Sequence, residues 1–157
     1  MKDELGREVP LERYRALMEN FPICTVDVIL CNSGKTRILL GKRVNEPYAG
    51  LFYSFGGRLY KNEEFVDAAL RIVQKETGLS LVPSQLRLAG VLNDRGDTSI
   101  FPDISYHAVN IYFGCRIEEG HEITLDEQHS EARWFDINDG TIHPYIQTRI
   151  KGVLRTL

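Results

Sequence analysis

Apolar and polar positions change their period several times along this chain, and each change marks an element. Leu11, Tyr14, Leu17, Met18 and Phe21 recur at helical spacing behind Pro10, whose fixed φ suits the opening of a helix. CTVDVILCN (24–32) is rich in β-forming residues and ends at the turn residues Asn32, Ser33 and Gly34, with RILLGKR following, so 24–43 predicts a β-hairpin. NEPYAG (45–50) reads as a loop, and LFYSF (51–55) as a short aromatic strand that stops at Gly56-Gly57. Over 63–77 the helical period returns: Phe65, Ala68, Ala69, Ile72 and Val73 form one stripe, and Gly78 is placed to close the helix. Strands over 86–92 and 105–115 flank a polar loop, 93–103, holding Gly96 and Pro102, a kind of segment that often carries function. A strand at 132–135 and a helix over 142–154, with Pro144 in its first turn, complete the pattern. The order α-β-β-β-α-β-β-β-α predicts an α/β fold, a mixed β-sheet packed between helices as an α/β/α sandwich.

Composition narrows the class. A chain of 157 residues, 43% hydrophobic and 26% charged, suits a single domain spanning 1–157. Nothing in it approaches the apolar length of a membrane helix, and the charged opening MKDELGREVPLERY lacks the apolar core of a secretion signal. The three cysteines, Cys24, Cys31 and Cys115, form no CxxC pair, so buried free thiols are expected rather than a zinc site or a disulfide framework. A cytoplasmic protein is the expectation. The net charge of −3 and pI of about 5.8 argue against a broad nucleic-acid surface while leaving room for a local basic pocket that takes a phosphorylated small molecule.

One residue breaks the helix pattern. At 100° per residue Glu76 falls on the apolar side with Phe65, Ala69 and Ile72, and a carboxylate facing a core needs a hydrogen bond, an ion pair or a metal. Glu63, Asp67 and Arg71 fall together on another side, as a surface charge ladder would. Upstream, Gly56-Gly57 permits a tight turn or the close approach of a ligand. Alone the pair is weak; its spacing to Glu63, Arg71, Val73, Glu76, Gly78 and Leu79 gives it weight.

That spacing resembles the Nudix box, G-x5-E-x7-R-E-U-x-E-E-x-G-U, with Ile72 and Lys75 standing where two of the box's glutamates belong and Phe55 where a proline commonly precedes the glycines. The chain is similar in particular to the GDP-mannose mannosyl hydrolases, a subfamily lacking the same two glutamates. The likeness is carried by VDVILCNSGKTRILLGKR (26–43), GGRLYKNEEFVDAALRIVQKETGL (56–79) and DEQHSEARW (126–134). It implies hydrolysis of a nucleotide sugar, GDP-mannose or GDP-glucose, by water attacking the anomeric carbon, with Mg²⁺ as cofactor (Mn²⁺ as a substitute) and a homodimeric state. Carried over by position, the Gly56 carbonyl, Glu76 and Gln128 are the metal ligands and His129 is the general base. Arg43 stabilises the leaving diphosphate, Asp27 supports the developing positive charge on the sugar, and Arg58 and Arg71 occupy matched arginine positions. The chemistry is self-consistent: a good leaving group and a modest base need fewer carboxylates, and an imidazole with a pKa near about 6.5 suits the base.

Plainer readings stand beside these. Asp27 alternates with Val26 and Val28 and suits the solvent face of a half-buried strand. Arg43 adjoins Lys42 and suits a solvated pair; His107 reads as structural, His121 and His143 as surface residues. Phe52, Tyr53 and Phe55 are core or a stacking face for a nucleobase. In NDRGDTSIFPDI (93–104), where relatives place aromatic and histidine groups, Arg95 and Asp97 are the candidates to contact substrate. Two further functional alternatives are a Nudix pyrophosphatase that cuts at phosphorus and a nucleotide-binding module without turnover.

Overall fold

The computed structural model describes residues 9–157; residues 1–8, which the single-domain reading includes, lie outside the described residues. Its helices are α1 (Leu11–Asn20), α2 (Phe65–Thr77) and α3 (Pro144–Thr156). Its strands are β1 (Ile23–Asn32), β2 (Arg37–Arg43), β3 (Phe52–Tyr53), β4 (Phe55–Arg58), β5 (Arg87–Gly96), β6 (Tyr106–Ile117) and β7 (His129–Asp136). The α/β class is as expected, with one strand more than the pattern predicts, because the aromatic segment splits at Ser54 into β3 and β4. Among the described residues no helix is long and apolar enough to cross a membrane.

β1 is the centre of a mixed seven-stranded sheet. It runs parallel to β6 along its whole length, from Ile23 opposite Ala108 to Asn32 opposite Ile117. Its other side changes partner: Thr25–Val28 pair with β4, whereas Leu30 and Cys31 pair with β2 as the predicted hairpin. β2 in turn carries β7, and β6 carries β5. Alternation along β1 divides two cores. Val26, Val28 and Leu30 pack with Ala68, Ala69, Ile72 and Val73 of α2, while Ile29 and Cys31 pack with Ile146, Ile150 and Val153 of α3. Each large side chain fully buried this way stabilises by about 1.5–3 kcal/mol relative to exposure. The thiols behave as expected: Cys31 and Cys115 are buried, Cys24 is half-buried, and all three are free.

Four expectations need correction. Of the spaced apolar residues of α1 only Tyr14 is buried, because α1 packs against Phe101 and Ile104 in a small separate core rather than on the sheet, leaving Leu11, Leu17 and Phe21 exposed. Phe65 is likewise exposed, as the first residue of α2, and the buried stripe begins at Ala68. Gly56 and Gly57 do not form a turn; they are ladder residues of β4, opposite Asp27 and Val26. The polar loop is shorter than predicted, as β5 continues to Gly96 on the strength of its pairing with Tyr106–Ala108 of β6. Gly78 closes α2 as foreseen, at φ 74°, a left-handed position that glycine adopts without strain.

Candidate active site

A cleft of about 650 Å³ collects most of the residues singled out in the sequence: Asp27, Arg43, Gly56, Arg58, Glu76 and Gln128 all line it, along with Arg71 and Lys75. His129 does not. Its side chain is fully covered, with the ring 5.2 Å from that of Phe55. The fit beneath it is tight: a Cβ on Gly41 would lie 2.6 Å from the His129 ring and 2.8 Å from Phe55. Phe55 is a core residue absent from the cleft wall, whereas Tyr53, though buried, lines the cleft.

The backbone explains how these groups converge. Gly56 lies opposite Asp27 in the β1–β4 ladder, and a Cβ there would strike the Asp27 carboxylate, so the missing side chain lets the acid lie flat against β4. Asp27 is buried, contrary to the solvent-facing reading. It accepts hydrogen bonds from the Ser54 hydroxyl and from Asn110 Nδ2 at 2.7 Å. Burial pushes its pKa up, opposed by the nearby Arg149 guanidinium and the two hydrogen bonds.

Behind Asp27 lies a network the sequence reading missed. Arg149 of α3 is fully buried, donating to Asp94 at 2.8 Å, the Tyr53 hydroxyl at 3.0 Å and Asn110 Oδ1 at 2.9 Å. Asp94 also accepts from the Tyr48 and Tyr53 hydroxyls. Burial works against the Arg149 charge, yet Asp27, Tyr53 and Asp94 hold its pKa above the ordinary value. Of segment 93–104, Asp94 near the end of β5 and Ser99, Ile100 and Pro102 of the shortened loop reach the cleft, whereas Arg95 and Asp97 are exposed and absent from its wall. His143 is not a plain surface residue: half-buried, it caps α3 by accepting from Tyr145 N. His107 contacts Asn93 at 3.1 Å, and His121 is exposed.

On the facing side, Glu76 is buried where its helical phase predicts and accepts a hydrogen bond at 3.0 Å from the Gly56 N–H. Burial, with Asp126 and Asp27 nearby, pushes its pKa up to about 8. The Lys75 and Ile72 positions explain the altered box: Lys75 is exposed at the cleft edge and Ile72 is in the core. Glu63 and Arg71 are not a surface ladder. They meet in a covered two-pronged contact at 2.7 and 2.8 Å, and Arg71 also donates to the Arg58 carbonyl, fixing the segment between β4 and α2. Arg58 lies over the Tyr14 and Tyr60 rings, at 5.1 and 5.6 Å, and Arg43 is held by the Pro47 carbonyl at 2.7 Å.

The turn before β7 supplies the remaining groups. His129 Nδ1 is 2.8 Å from Asp126 Oδ1, an arrangement that fixes the ring and leaves Nε2 as the acceptor when Nδ1 carries the proton. Burial holds the imidazole below its usual pKa, against the pull of Asp126. Gln128 is set by its backbone, whose carbonyl accepts from Val44 N at 3.0 Å. One carboxylate oxygen each from Glu76 and Asp126, and a ring nitrogen of His129, lie within 4.8 Å of one another. Two carboxylates so close, one of them the buried Glu76 that lines the cleft together with Gln128, fit a divalent cation held by oxygen donors.

The model of the NUDIX domain matches residues 23–156. The chain is 31% identical to the low-salt glycan biosynthesis protein Agl8 of Haloferax volcanii over 146 residues, 92% of this chain and 90% of that protein. It is 33% identical to an ADP-ribose pyrophosphatase of Methanocaldococcus jannaschii over 131 residues, 82% of this chain and 69% of that protein. Among solved structures, a MutT/nudix family protein from Enterococcus faecalis matches with a TM-score of 0.61 and 20% identity, which supports the fold. The match covers 83% of this chain and about half, 52%, of that one.

Proposed function

This chain belongs to the Nudix family, and from that premise we propose that it hydrolyses a nucleoside diphosphate sugar, GDP-mannose or GDP-glucose, at the anomeric carbon, with Mg²⁺ or Mn²⁺ as cofactor. The observation that carries the proposal is on α2. Of the three box positions Ile72, Lys75 and Glu76, only Glu76 offers a carboxylate, and a buried histidine–carboxylate pair lies beside it. A relative named for glycan biosynthesis fits a sugar-bearing substrate.

Glu76, Gln128 and the Gly56 carbonyl would hold the cation, which when bound neutralises charge on the diphosphate. Arg43 adds positive charge where the leaving group departs. Asp27, fixed by Ser54 and Asn110, faces the sugar as its C1 becomes cationic. His129 takes the proton of the attacking water at Nε2 as the new C1–O bond forms, and the old C1–O bond breaks with its electron pair passing to the diphosphate, giving GDP and free sugar. That role requires the turn 126–129 to uncover Nε2 when substrate is bound, since contacts of a catalytic base commonly form only in the complex.

A second reading, cleavage at phosphorus, is favoured by the ADP-ribose pyrophosphatase relative and by the second carboxylate, Asp126, close to Glu76. Hydrolysis of GDP-mannose in ¹⁸O-water decides between them. Label in mannose, with GDP as the other product, supports attack at carbon. Label in GMP or mannose 1-phosphate overturns it in favour of the second reading. A homodimer in the cytoplasm belongs to the same proposal; a monomeric mass in sedimentation removes the dimer.

A further inference from the structure

In the attack at carbon set out above Asp126 has no role beyond touching His129, yet its surroundings ask for more. Its side chain is 8% exposed, and its two oxygens have different lives. Oδ1 receives the Gln128 N–H at 3.2 Å and faces His129 Nδ1 at 2.8 Å. Oδ2 is buried without a hydrogen-bond partner among the described residues, as is Nε2 of His129. An unpaired buried carboxylate oxygen is unfavourable, and a second acid, the buried Glu76, within 4.8 Å adds repulsion. Among the described residues neither acid makes a salt bridge to a lysine or arginine, and Arg43 offsets the Glu76 charge only from a distance.

We propose that Asp126 is a metal ligand through Oδ2 while orienting His129 through Oδ1, so that a single carboxylate joins the divalent cation to the general base. The inference rests on the divalent-cation site of the proposed function, and holds whether water attacks carbon or phosphorus. Glu76 from α2 and Asp126 from the turn before β7 then bring two negative charges to one cation, restoring from a distant part of the chain what Ile72 and Lys75 take away from the helix. His129 stays off the metal: its Nδ1 is engaged by Asp126, and Nε2 is left to accept a proton.

The test is Mn²⁺ binding to the full-length protein, followed by the electron paramagnetic resonance signal of the free ion. Asp126→Asn, which keeps the shape and a hydrogen-bonding oxygen, is expected to weaken binding at least about tenfold, as is Glu76→Gln, while His129→Gln changes it by less than about threefold. Mn²⁺ affinity of Asp126→Asn equal to that of the unaltered protein overturns the proposal. Should that variant not fold, the unaltered protein still decides. Pulsed resonance of bound Mn²⁺ is expected to show no directly coordinated histidine nitrogen, and a strong nitrogen coupling overturns the bridging arrangement. None of these readouts depends on which bond is hydrolysed, so the ¹⁸O experiment fails or succeeds separately.

Discussion

Two clusters of buried acids flank the cleft, and they are held in opposite ways. Asp94 and Asp27 lie around Arg149, and their oxygens are met by the hydroxyls of Tyr48, Tyr53 and Ser54, the amide of Asn110 and the guanidinium itself. Glu76 and Asp126 lie beside His129 with two polar atoms unmatched. A cluster satisfied from within is architecture: it holds Asp27 against β4 and ties α3 to the sheet. A cluster that remains unsatisfied is stable only with help from outside, which is what a ligand site requires.

The comparison breaks most visibly at Arg149. Arg149→Met leaves Asp94 buried without its cation, and a loss of about 3–5 kcal/mol is expected in urea unfolding. Next is His129→Gln, expected to lower turnover by about 10²–10⁴ with little change in stability, measured as steady-state kinetics beside a thermal melt. Glu76 gives the opposite sign from Arg149. In metal-free protein its raised pKa means that stability is full below the usual value of 4.5 and falls as pH rises through about 8. Glu76→Gln is therefore expected to unfold at higher urea than the unaltered protein at pH 9 in chelator, with a much smaller difference at pH 5. Saturating Mg²⁺ at a hundred times its Kd is expected to restore about 2.7 kcal/mol to the unaltered protein and little to the variant. The smallest effect is expected at Gly78→Ala. There the left-handed φ and a Thr124 Cβ only 3.1 Å from an added methyl make a loss of about 1 kcal/mol, read from the same unfolding curves.

The sequence revealed one cluster and hid the other, although both follow the same rule. Glu76 stood out because its phase on a clear helix set it among Ala69 and Ile72. Arg149 has the same signature, three residues after Ile146 and four before Val153, but a long cationic side chain on a helix is ordinarily read as reaching for water. Asp94 was hidden by its neighbours: NDRGD is turn-like in composition, and only the ten-residue ladder with β6 draws it into a strand. Asp126 lay in plain view three residues before His129, at a spacing that in a turn reveals nothing until backbone geometry is known. Secondary structure was legible wherever the period held for two turns or five alternations. It failed at the ends, where pairing partners far along the chain decide the boundary: β7 begins at His129 because Arg43 is opposite it, and β4 runs through two glycines because β1 lies alongside. The arginines of the cleft were found by position, but nothing local showed that Arg71 would be spent on Glu63 and the Arg58 carbonyl.

The parallel union of β1 with β6 also imposes an order on the making of the protein. Asp27 emerges from the ribosome early, while Asn110, which grips it, follows more than eighty residues later and Arg149 later still. Until β6 arrives, one side of the largely buried β1 has its backbone groups bare, an open template for the wrong neighbour. The nascent chain is exposed to misassembly in that interval, which closes only once β6 has been made.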